Sequence, residues 1–545
     1  MAQQLGGQPV LILREGTRRS RGEEAQFSNF AAAKAVAHAV RSTLGPNGMD
    51  KMLIDGIGDI VITNDGATIL KEMEIEHPVA KMIVEVAKTQ DEETGDGTTT
   101  AVVLTGELIR AAEGLIAKKV HPTMIAEGYR DAVIKAQEIL AGIAFDVRPG
   151  DETVLKKIAE TAFTSRLSES AKDRFCGFMV KAATMVKDPE GKVDIDHISI
   201  VKKVGGAVED SVIIDGIVID KERLHPDMPK EVGDARILLL NAALEYKKTE
   251  VNAKINISNP LQAQAFLDEE AQMIRSMADK VIGSGANVVF CQKGIDDTAQ
   301  HYLAKARIFA VRRVTKSNME NLARATGASI VMNLDAITGE DIGSAGLVAE
   351  QKVAGEEMII VSACKNPKAV SIIIHGGTQH VVDELERSVH DGLMVVKDVL
   401  EDGKMVAGGG APEIEIVLRL QNFADTLGSS KQLAVEAFAS AFEIIPRTLA
   451  ENSGLDPINM VVALKAAHGN GEITAGLDVS AGKPADMRKA GVLEPLRVKK
   501  QAIASAAEAA VMILRIDDVI ASSRAKETGM PPGGPGRMPP GMGEY

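Results

Sequence analysis

The chain has 545 residues, of which 45% are hydrophobic, 25% are charged and only 3% are aromatic. This length exceeds a single compact core and predicts two to four domains. The formal net charge of −14 and the lack of tryptophan argue against binding to nucleic acid and to an anionic membrane, because these need basic surfaces or stacking platforms.

The three cysteines, Cys176, Cys291 and Cys364, are far apart in the sequence. They form neither a disulfide framework nor a Cys-x-x-Cys metal site, which fits a reducing compartment. No run approaches the ~18 apolar residues of a membrane span, and the amino terminus lacks the apolar core of a signal peptide. We therefore expect a cytoplasmic protein with no membrane partner.

In chain order, the mixed and charged residues 1–25 predict disorder, as does the Met-Pro-Pro-Gly repeat within residues 530–541. Residues 26–145 are predicted to be mostly helical. Ser28 or Asn29 is expected to cap a first helix, which stops at a Leu-Gly-Pro breaker. Two short strands around a Gly-rich turn and two long helices are expected to follow.

From about residue 150 the pattern changes. Between about 222 and 374, apolar strands alternate with helices and predict an α/β domain, from which the polar, helix-prone segment 246–275 projects. An amphipathic helix over 379–400 follows, and Ala-rich helices then continue to about 522. Because two helical ends bracket a different middle, the sequence predicts one domain inserted within another.

The usual catalytic signatures are missing from the sequence. No Gly-Lys pair is followed by Ser or Thr, so there is no Walker A loop, and G-x-G-x-x-G, H-E-x-x-H and G-x-S-x-G do not occur. Four glycine-bearing loops in the helical ends remain. Each leaves backbone groups exposed at the end of a helix or strand, as a nucleotide site without a P-loop requires. These loops are Leu44-Gly45-Pro46-Asn47-Gly48, Asn64-Asp65-Gly66, Gly95-Asp96-Gly97-Thr98-Thr99-Thr100 and Gly408-Gly409-Gly410.

The third loop, residues 95–100, precedes an apolar helix, and a helix N-terminus attracts anions. Asp96 would repel a bare phosphate but suits a phosphate that arrives with Mg²⁺. The alternative is an ordinary helix start, with Asp96 as its cap. The loop alone leaves both interpretations open.

The runs "TLGPNGMDKMLI", "TNDGATIL", "GDGTTTAVVL", "VAGGGAPEIEI" and "GGTQHVVDELERSVHD" together resemble the chaperonins, and the match extends from about residue 20 to 525. "QKGIDDTAQHYL", "ACKNPKAV" and the segment near 246–275 are similar to group II, the archaeal thermosome and eukaryotic cytosolic type. The resemblance implies an ATP-dependent chaperone that encloses non-native client proteins. It also implies a homo- or hetero-oligomeric double ring of eight or nine subunits per ring, with no separate co-chaperonin lid.

The resemblance implies a multi-domain fold with three domains. A mainly α-helical equatorial domain combines residues 1–150 with 410–545. A small mixed intermediate domain combines 151–221 with 375–409. The α/β apical domain comprises 222–374, with a helical lid protrusion at about 246–275.

The resemblance also implies ATP and Mg²⁺ as cofactors and assigns residues to them. Asp96 would hold Mg²⁺, Asp65 would lie beside the metal and the γ-phosphate, and Asp391 would activate the attacking water. Nucleotide contacts are expected from residues of the four loops and from one acid near the carboxyl end: Leu44, Gly45, Pro46, Asn64, Gly66, Gly97, Thr98, Thr99, Thr100, Gly409 and Glu494.

For Asp391 the residues alone favour a solvated carboxylate, because it lies off the apolar stripe of a helix that already carries several acids. Its implied role places it in a different domain from the phosphate loops. Hydrolysis would then wait for domain closure.

Three positions depart from the family pattern. Glu169 stands where many relatives carry a Lys near the γ-phosphate, with Arg166 and Lys172 nearby. His375 replaces a common Arg. Gly392 replaces a common Ala, which should cost the helix up to ~1 kcal/mol.

The residues also admit two other functions. An ATP-using metabolic enzyme would need acid, base or nucleophilic residues in the middle domain, where none stands out and where Cys291 and Cys364 are expected to be buried. A structural protein whose loops only cap helices would lose ~1 kcal/mol on Asp96→Ala and would bind no nucleotide.

Overall fold

The computed structural model describes residues 2–5, 8–11, 18–148, 150–163, 167–246, 260–353, 355–364 and 369–521. Its amino-terminal part is mainly helical, and the hairpin predicted before the long helices is present as β4 and β5. The elements of this part are β1 Ala2–Leu5, β2 Gln8–Leu11, β3 Arg18–Arg21, α1 Glu23–Arg41, β4 Lys51–Ile54, β5 Ile60–Thr63, α2 Gly66–Glu72, α3 Pro78–Thr94, α4 Thr98–Ala117, α5 Pro122–Ile143 and β6 Phe145–Asp146.

The first helix begins earlier than predicted. α1 starts at Glu23, so Ser28 and Asn29 lie inside it and do not cap it. Asn29 is buried in the helix. The capping prediction is wrong because two acids and a Gln support another turn ahead of these residues.

The middle of the chain alternates helices and strands. Its elements are α6 Glu152–Ala162, α7 Glu169–Val186, β7 Ile198–Val204, β8 Val212–Asp215, β9 Ile217–Ile219, β10 Glu231–Leu240, α8 Pro260–Gly283, β11 Val288–Cys291, α9 Asp297–Lys305, β12 Phe309–Val311, α10 Lys316–Thr326, β13 Ile330–Val331, β14 Gly343–Val353, β15 Glu356–Cys364, β16 Val370–Gly376, α11 Gln379–Asp402 and β17 Lys404–Ala407.

Two sheets organise this middle part. The larger has the strand order β12-β11-β10-β14-β15-β9, with β13 also paired to β10. β10 to β13 are parallel, whereas β14, β15 and β9 are antiparallel. The smaller sheet has the order β7-β16-β8. Of the segment 246–275, residues 247–259 lie outside the described residues, and residues 260–275 belong to α8.

The carboxyl-terminal part is helical again, which confirms the predicted combination of helical and α/β parts. Its elements are α12 Ala411–Ala424, α13 Ser430–Ala441, α14 Ile444–Asn452, α15 Pro457–Gly469, β18 Ala475–Asp478, β19 Lys483–Asp486, α16 Met487–Ala490, β20 Leu493–Pro495, α17 Leu496–Leu514 and β21 Asp518–Ala521. None of the described helices is long and apolar enough to cross a membrane.

The prediction of disorder over residues 1–25 is wrong where the structure describes them: β1 and β2 pair with each other, and strand β3 is ordered as well. β3 pairs antiparallel with β21, near the other end of the chain. The Arg19 guanidinium donates to both carboxylate oxygens of Asp518. A charged strand is therefore ordered by a partner far away in the sequence, which no local pattern reports.

The described residues form several hydrophobic cores. One core joins the two ends of the chain, with α1, α3, α4 and α5 packed against α12, α13 and α17. Tyr129 of α5 lies in it, with its ring 5.2 Å from that of Phe438 and its hydroxyl donating to Leu108 O at 2.8 Å. A second core packs α6, α7 and α11 with β16. Two more cover the faces of the seven-stranded sheet.

Helix α11 confirms the predicted amphipathic helix. Apolar side chains on one stripe, from Val382 to Val396, are buried in the second core. Gly392 lies on the side that faces α7, where a Cβ would overlap Met179 Sδ and lie 2.9 Å from Met179 Cε. An Ala at this position would therefore gain helix propensity only if Met179 moved.

The packing of α5 on α13 gives a test of the core that joins the two ends. A Cβ on Gly128 would lie 2.5 Å from Ala434 Cβ and 3.3 Å from Lys431 O, neither of which can rotate away. Gly128→Ala should therefore lower the stability to thermal unfolding, by about 1–3 kcal/mol. The control is Gly142→Ala in the same helix, where nothing lies within 4 Å and up to ~1 kcal/mol should be gained. The measurement is the unfolding temperature of each variant by scanning calorimetry. If Gly128→Ala and Gly142→Ala both raised or both lowered this temperature, the close packing at Gly128 would be contradicted.

Candidate nucleotide-binding site

The loops before α2 and α4 pack directly on each other. Asp65 is the N-cap of α2, where its carboxylate accepts from Thr68 N at 2.7 Å. The same carboxylate accepts from Thr98 Oγ1, at the start of α4, at 3.1 Å. A Cβ on Gly66 would lie 2.6 Å from Thr99 Oγ1. The close approach of the two helix N-termini therefore requires this glycine.

The loop of residues 95–100 is not capped as an ordinary helix start would be. The N-cap of α4 is Gly97, in the left-handed conformation at φ +77°, and no side chain caps the helix. The interpretation of Asp96 as the cap is wrong, because its Oδ1 instead accepts from Gly97 N at 2.5 Å. Among the threonines, Thr98 and Thr99 are buried and Thr100 is half-buried. The first turn of α4 thus keeps its backbone donors free of a capping side chain.

The first loop, after α1, lies beside the same threonines. Thr43 Oγ1 is 3.5 Å from Thr99 Oγ1. Asn452 Nδ2 donates to Leu44 O at 2.8 Å, which fixes the loop against α14. Gly45 turns the chain at φ +87°, and Pro46 is exposed. Asn64 is half-buried at the end of β5.

The glycine-rich loop after β17 lies beside Glu494. Strands β17 and β20 pair antiparallel, which places Glu494 opposite Val406. A Cβ on Gly408 would lie 2.9 Å from Glu494 Oε1. Gly409 has φ +65°, and its carbonyl accepts from Leu477 N at 2.8 Å. The fourth loop and the carboxyl-terminal acid therefore form one wall.

Two buried polar residues that the sequence does not single out hold these parts together. Gln90 Nε2 lies 2.8 Å from Asp96 O and 3.2 Å from Val498 O, so it ties the third loop to α17. The Lys499 ammonium pairs with Glu494 at 2.6 Å and with Glu413 at 2.8 Å. No motif distinguishes Gln90 within α3, nor Lys499 from the lysine that follows it.

The buried ion pairs shift the pKa values of their members. Burial raises the pKa of Glu494, although the neighbouring Lys499 opposes this. Burial alone would lower the pKa of Lys499, but Glu413 and Glu494 raise it, so the ammonium stays charged. Glu413 Oε2 is buried and has no hydrogen-bond partner among the described residues.

Four carboxylates from three segments lie near one another at the third loop. Burial raises the pKa of Asp391 well above its ordinary value, and the charges of Asp65, Asp91 and Asp96 raise it further. Burial also raises the pKa of Asp96, against the Gly97 N–H and Lys499, which lower it. The pKa of Asp91 rises to about 6 through burial and the charge of Asp65.

Helix α11 carries Asp391 onto the loop by direct packing. A Cβ on Gly95 would overlap the side chain of Met394 and lie 3.6 Å from Asp391 Cα. Asp391 is half-buried. The interpretation of Asp391 as a solvated helix-face acid is therefore wrong, since tertiary packing and not the helix pattern decides its surroundings.

The comparisons with known proteins agree along nearly the whole chain. The model of the TCP-1/cpn60 chaperonin family matches residues 36–524. A thermosome subunit of Pyrococcus horikoshii is 59% identical over 527 residues, which cover 96% of each chain. One of Methanopyrus kandleri is 60% identical over 519 residues, which cover 95% of each. The chain belongs to the TCP-1/cpn60 chaperonin family.

A solved structure supports the same conclusion. The open-state monomer of a group II chaperonin from Methanococcoides burtonii is 50% identical, with a TM-score of 0.63, and the match covers 77% of this chain and 100% of that one. The resemblance to group II chaperonins is thus confirmed.

The residues of this chaperonin fit a metal that arrives with its nucleotide. The described side chains contain no preformed group of three or more metal-ligating residues. Mg²⁺ is commonly bound by one or two carboxylates together with substrate phosphates, so such a group is not required. Asp96 lies beside an uncapped helix N-terminus and close to Asp65, an arrangement that suits such a metal.

The positions that depart from the family pattern lie in different surroundings. Glu169 is the first residue of α7 and is exposed, and Lys172 is half-buried in the same turn. Arg166 lies outside the described residues. His375 is buried at the end of β16, with Nδ1 3.2 Å from Gly205 O, and Nε2 has no partner among the described residues.

The thiols offer no activated nucleophile for a metabolic enzyme. Burial raises the pKa of Cys291 and of Cys364 to about 11, and that of Cys176 to about 12. Such thiols are protonated at neutral pH and unreactive. Cys364 is half-buried and not fully buried as expected. The comparisons likewise do not support a metabolic enzyme.

Lys499 gives a test of the buried charges in the wall of the site. Lys499→Met should lower the stability by about 3–5 kcal/mol, because Glu413 and Glu494 would remain buried without a counter-charge. Lys500→Met, one residue further along the same helix, is the control and should change the stability by less than ~0.5 kcal/mol. The measurement is the free energy of unfolding of both variants, from thermal unfolding without nucleotide. An equal loss of stability in the two variants would contradict the role of Lys499 as the buried counter-charge.

Proposed function

We propose that this subunit binds Mg–ATP among the four glycine-bearing loops and hydrolyses it when α11 is docked on them. As a member of its family, the protein is an ATP-dependent chaperone and an ATPase. The observation that carries the site assignment is the convergence of Asp391 with Asp65 and Asp96 at the uncapped N-terminus of α4.

The loops divide the work of binding. The backbone and hydroxyl groups of Gly97, Thr98, Thr99 and Thr100 cradle the phosphates, since a helix N-terminus offers donors and a favourable dipole. Further contacts come from Leu44, Gly45, Pro46, Asn64, Gly66 and Gly409. Glu494 accepts from a hydroxyl of the nucleotide with Oε1, while Lys499 holds its other oxygen.

The acids divide the chemistry. Asp96 would hold Mg²⁺, and the metal would supply positive charge that neutralises the phosphates. Asp391 orients the attacking water and accepts its proton. Asp65 would lie beside the metal and the γ-phosphate as a second catalytic acid, while its carboxylate caps α2 and accepts from Thr98.

The chain would be organised in three domains. We assign residues 1–150 and 410–545 to an equatorial domain, 151–221 and 375–409 to an intermediate domain, and 222–374 to an apical domain. Non-native clients would bind the apical domain through exposed apolar surface. The segment near 246–275 would close the chamber as a built-in lid, so that no separate co-chaperonin is needed. A cytoplasmic location follows from the same assignment.

The β4–β5 hairpin supports assembly into rings. Its side chains Met52, Ile54 and Ile57 are exposed, with Ile57 at 85%. β4 and β5 pair only with each other among the described strands, so both edges are free. A free, apolar edge is suited to strand addition by another chain. We expect a double ring of eight or nine subunits per ring, built from one kind of subunit or from several.

The proposed chemistry is tested by Asp391→Asn. We expect the rate of ATP hydrolysis to fall at least about 100-fold, because proton transfer and water orientation are lost, with little change in ATP affinity. The control is Asp383→Asn, an acid of the same helix that is held by Lys202 at 3.0 Å. A wild-type rate for Asp391→Asn would refute the assignment.

Ring assembly is tested at the tip of the hairpin. Ile57→Asp should leave the subunit folded but reduce the share of megadalton particles measured by light scattering, because a charge would replace a buried contact. Gly56→Asp places the same charge one residue away, at a position with open space, and removes no apolar side chain. Equal assembly of Ile57→Asp and wild type would contradict the role of the hairpin.

A further inference from the structure

The first turn of α17 contacts the helix that carries Asp391. Arg497 donates through Nε to Asp402 at 2.8 Å and through Nη1 to Asp398 at 3.0 Å and Glu401 at 3.1 Å. Its Nη2 also pairs with Asp402. One guanidinium thus holds three carboxylates of the last two turns of α11.

These contacts lie on the face of α11 that meets the loops. Asp398 and Asp402 follow Asp391 by seven and eleven residues, which is close to whole turns of a helix with 3.6 residues per turn. Met394, which packs on Gly95, lies between them on the same side. Arg497 therefore controls the rotation that presents Asp391.

Because Asp398 is buried, its ion pair with Arg497 is sensitive to small changes in geometry. Asp398 is fully buried, and its Oδ2 has no hydrogen-bond partner among the described residues. Burial raises the pKa of Asp398 to about 7, although Arg497 lowers it. A buried carboxylate is tolerated only when its cation is well placed, so α11 has a preferred position relative to Arg497.

The residues beside Arg497 act on the other side of the site. Val498 O lies 3.2 Å from Gln90 Nε2, which also contacts the carbonyl of Asp96. Lys499 pairs with Glu494. A single helical turn therefore joins the nucleotide loops to the helix that completes them.

We propose that Arg497 is a positioning residue for ATP hydrolysis, which clamps Asp398, Glu401 and Asp402 so that Asp391 lies against the third loop. This inference rests on the proposed role of Asp391. In this proposal Arg497 acts on hydrolysis through the position of α11, because its guanidinium is engaged by the carboxylates of that helix.

The test compares ATP hydrolysis and ATP affinity in Arg497→Gln, measured on the assembled protein with Mg–ATP. We expect kcat to fall about 10- to 100-fold, the effect of displacing a reacting group by about 1 Å, while the dissociation constant of ATP changes less than about 2-fold. Arg497→Lys should recover only part of the rate, because an ammonium cannot make the bidentate contact with Asp402.

The matched control is Lys202→Gln. Lys202 also bridges from another element to α11, at 3.0 Å from Asp383 and 2.8 Å from Glu386, but near the opposite end of the helix, where the paired side chains are more exposed. The Lys202→Gln variant should hydrolyse ATP at the wild-type rate. An equal loss in Lys202→Gln would overturn the proposal, because any loosening of α11 would then suffice.

A second variant covers the case in which Arg497→Gln fails to assemble. Asp398→Asn keeps the volume and leaves Arg497 paired with Glu401 and Asp402, and it should lower kcat by a smaller factor at unchanged ATP affinity. If Arg497→Gln and Asp398→Asn keep the wild-type kcat while Asp391→Asn is inactive, the role of Arg497 is overturned and the proposed function stands. An active Asp391→Asn overturns the proposed function and this inference with it.

Discussion

The crowding of carboxylates at the start of α4 is the constraint on which the site depends. Asp65, Asp391 and the neighbouring pair Asp91 and Asp96 come from three segments. The raised pKa values of Asp91, Asp96 and Asp391 mean that their charged forms cost free energy in the free protein. The field of Lys499 and the helix N-termini offset part of this cost. In the proposed site a divalent cation bound with phosphates would neutralise the rest, so the repulsion among the carboxylates of the free protein would favour binding of Mg–ATP.

The acids of the candidate site belong to two different hydrophobic cores, so their arrangement depends on how these cores are placed relative to each other. Asp65 and Asp96 are held by the core of α1, α3, α4 and α17, whereas Asp391 lies on a helix of the core of α6, α7 and β16. The side of α11 toward the loops carries Met394, which packs on Gly95, and is fastened to α17 by ion pairs. Contacts of this kind can be broken and remade, so a site completed across them responds to motion between the two cores.

The sequence is informative where structure is local. Periodicity and glycine breakers predict the long helices, the hairpin and the central strands, and the shared chemistry of the loops predicts their common purpose. Long-range partners leave no local trace, which is why β3 was expected to be disordered although β21 pairs with it. Gln90 and Lys499 are hidden for the same reason, because their importance comes from tertiary neighbours. The surroundings of Asp391 were misjudged from its helix pattern, and only the family resemblance marked it.

The polar groups at the start of α17 show why such neighbours are kept. A buried pair such as Lys499 with Glu413, or Arg497 with Asp398, adds little net stability relative to apolar residues of similar volume, because each ion loses its hydration. Apolar contacts, however, tolerate sliding by a fraction of an ångström, whereas a buried carboxylate without its cation is strongly penalised. These pairs lie in one helical turn between the loops and α11, so they restrict the positions that the loops and α11 can take relative to each other. Phosphoryl transfer depends mainly on such accurate positioning of the reacting groups.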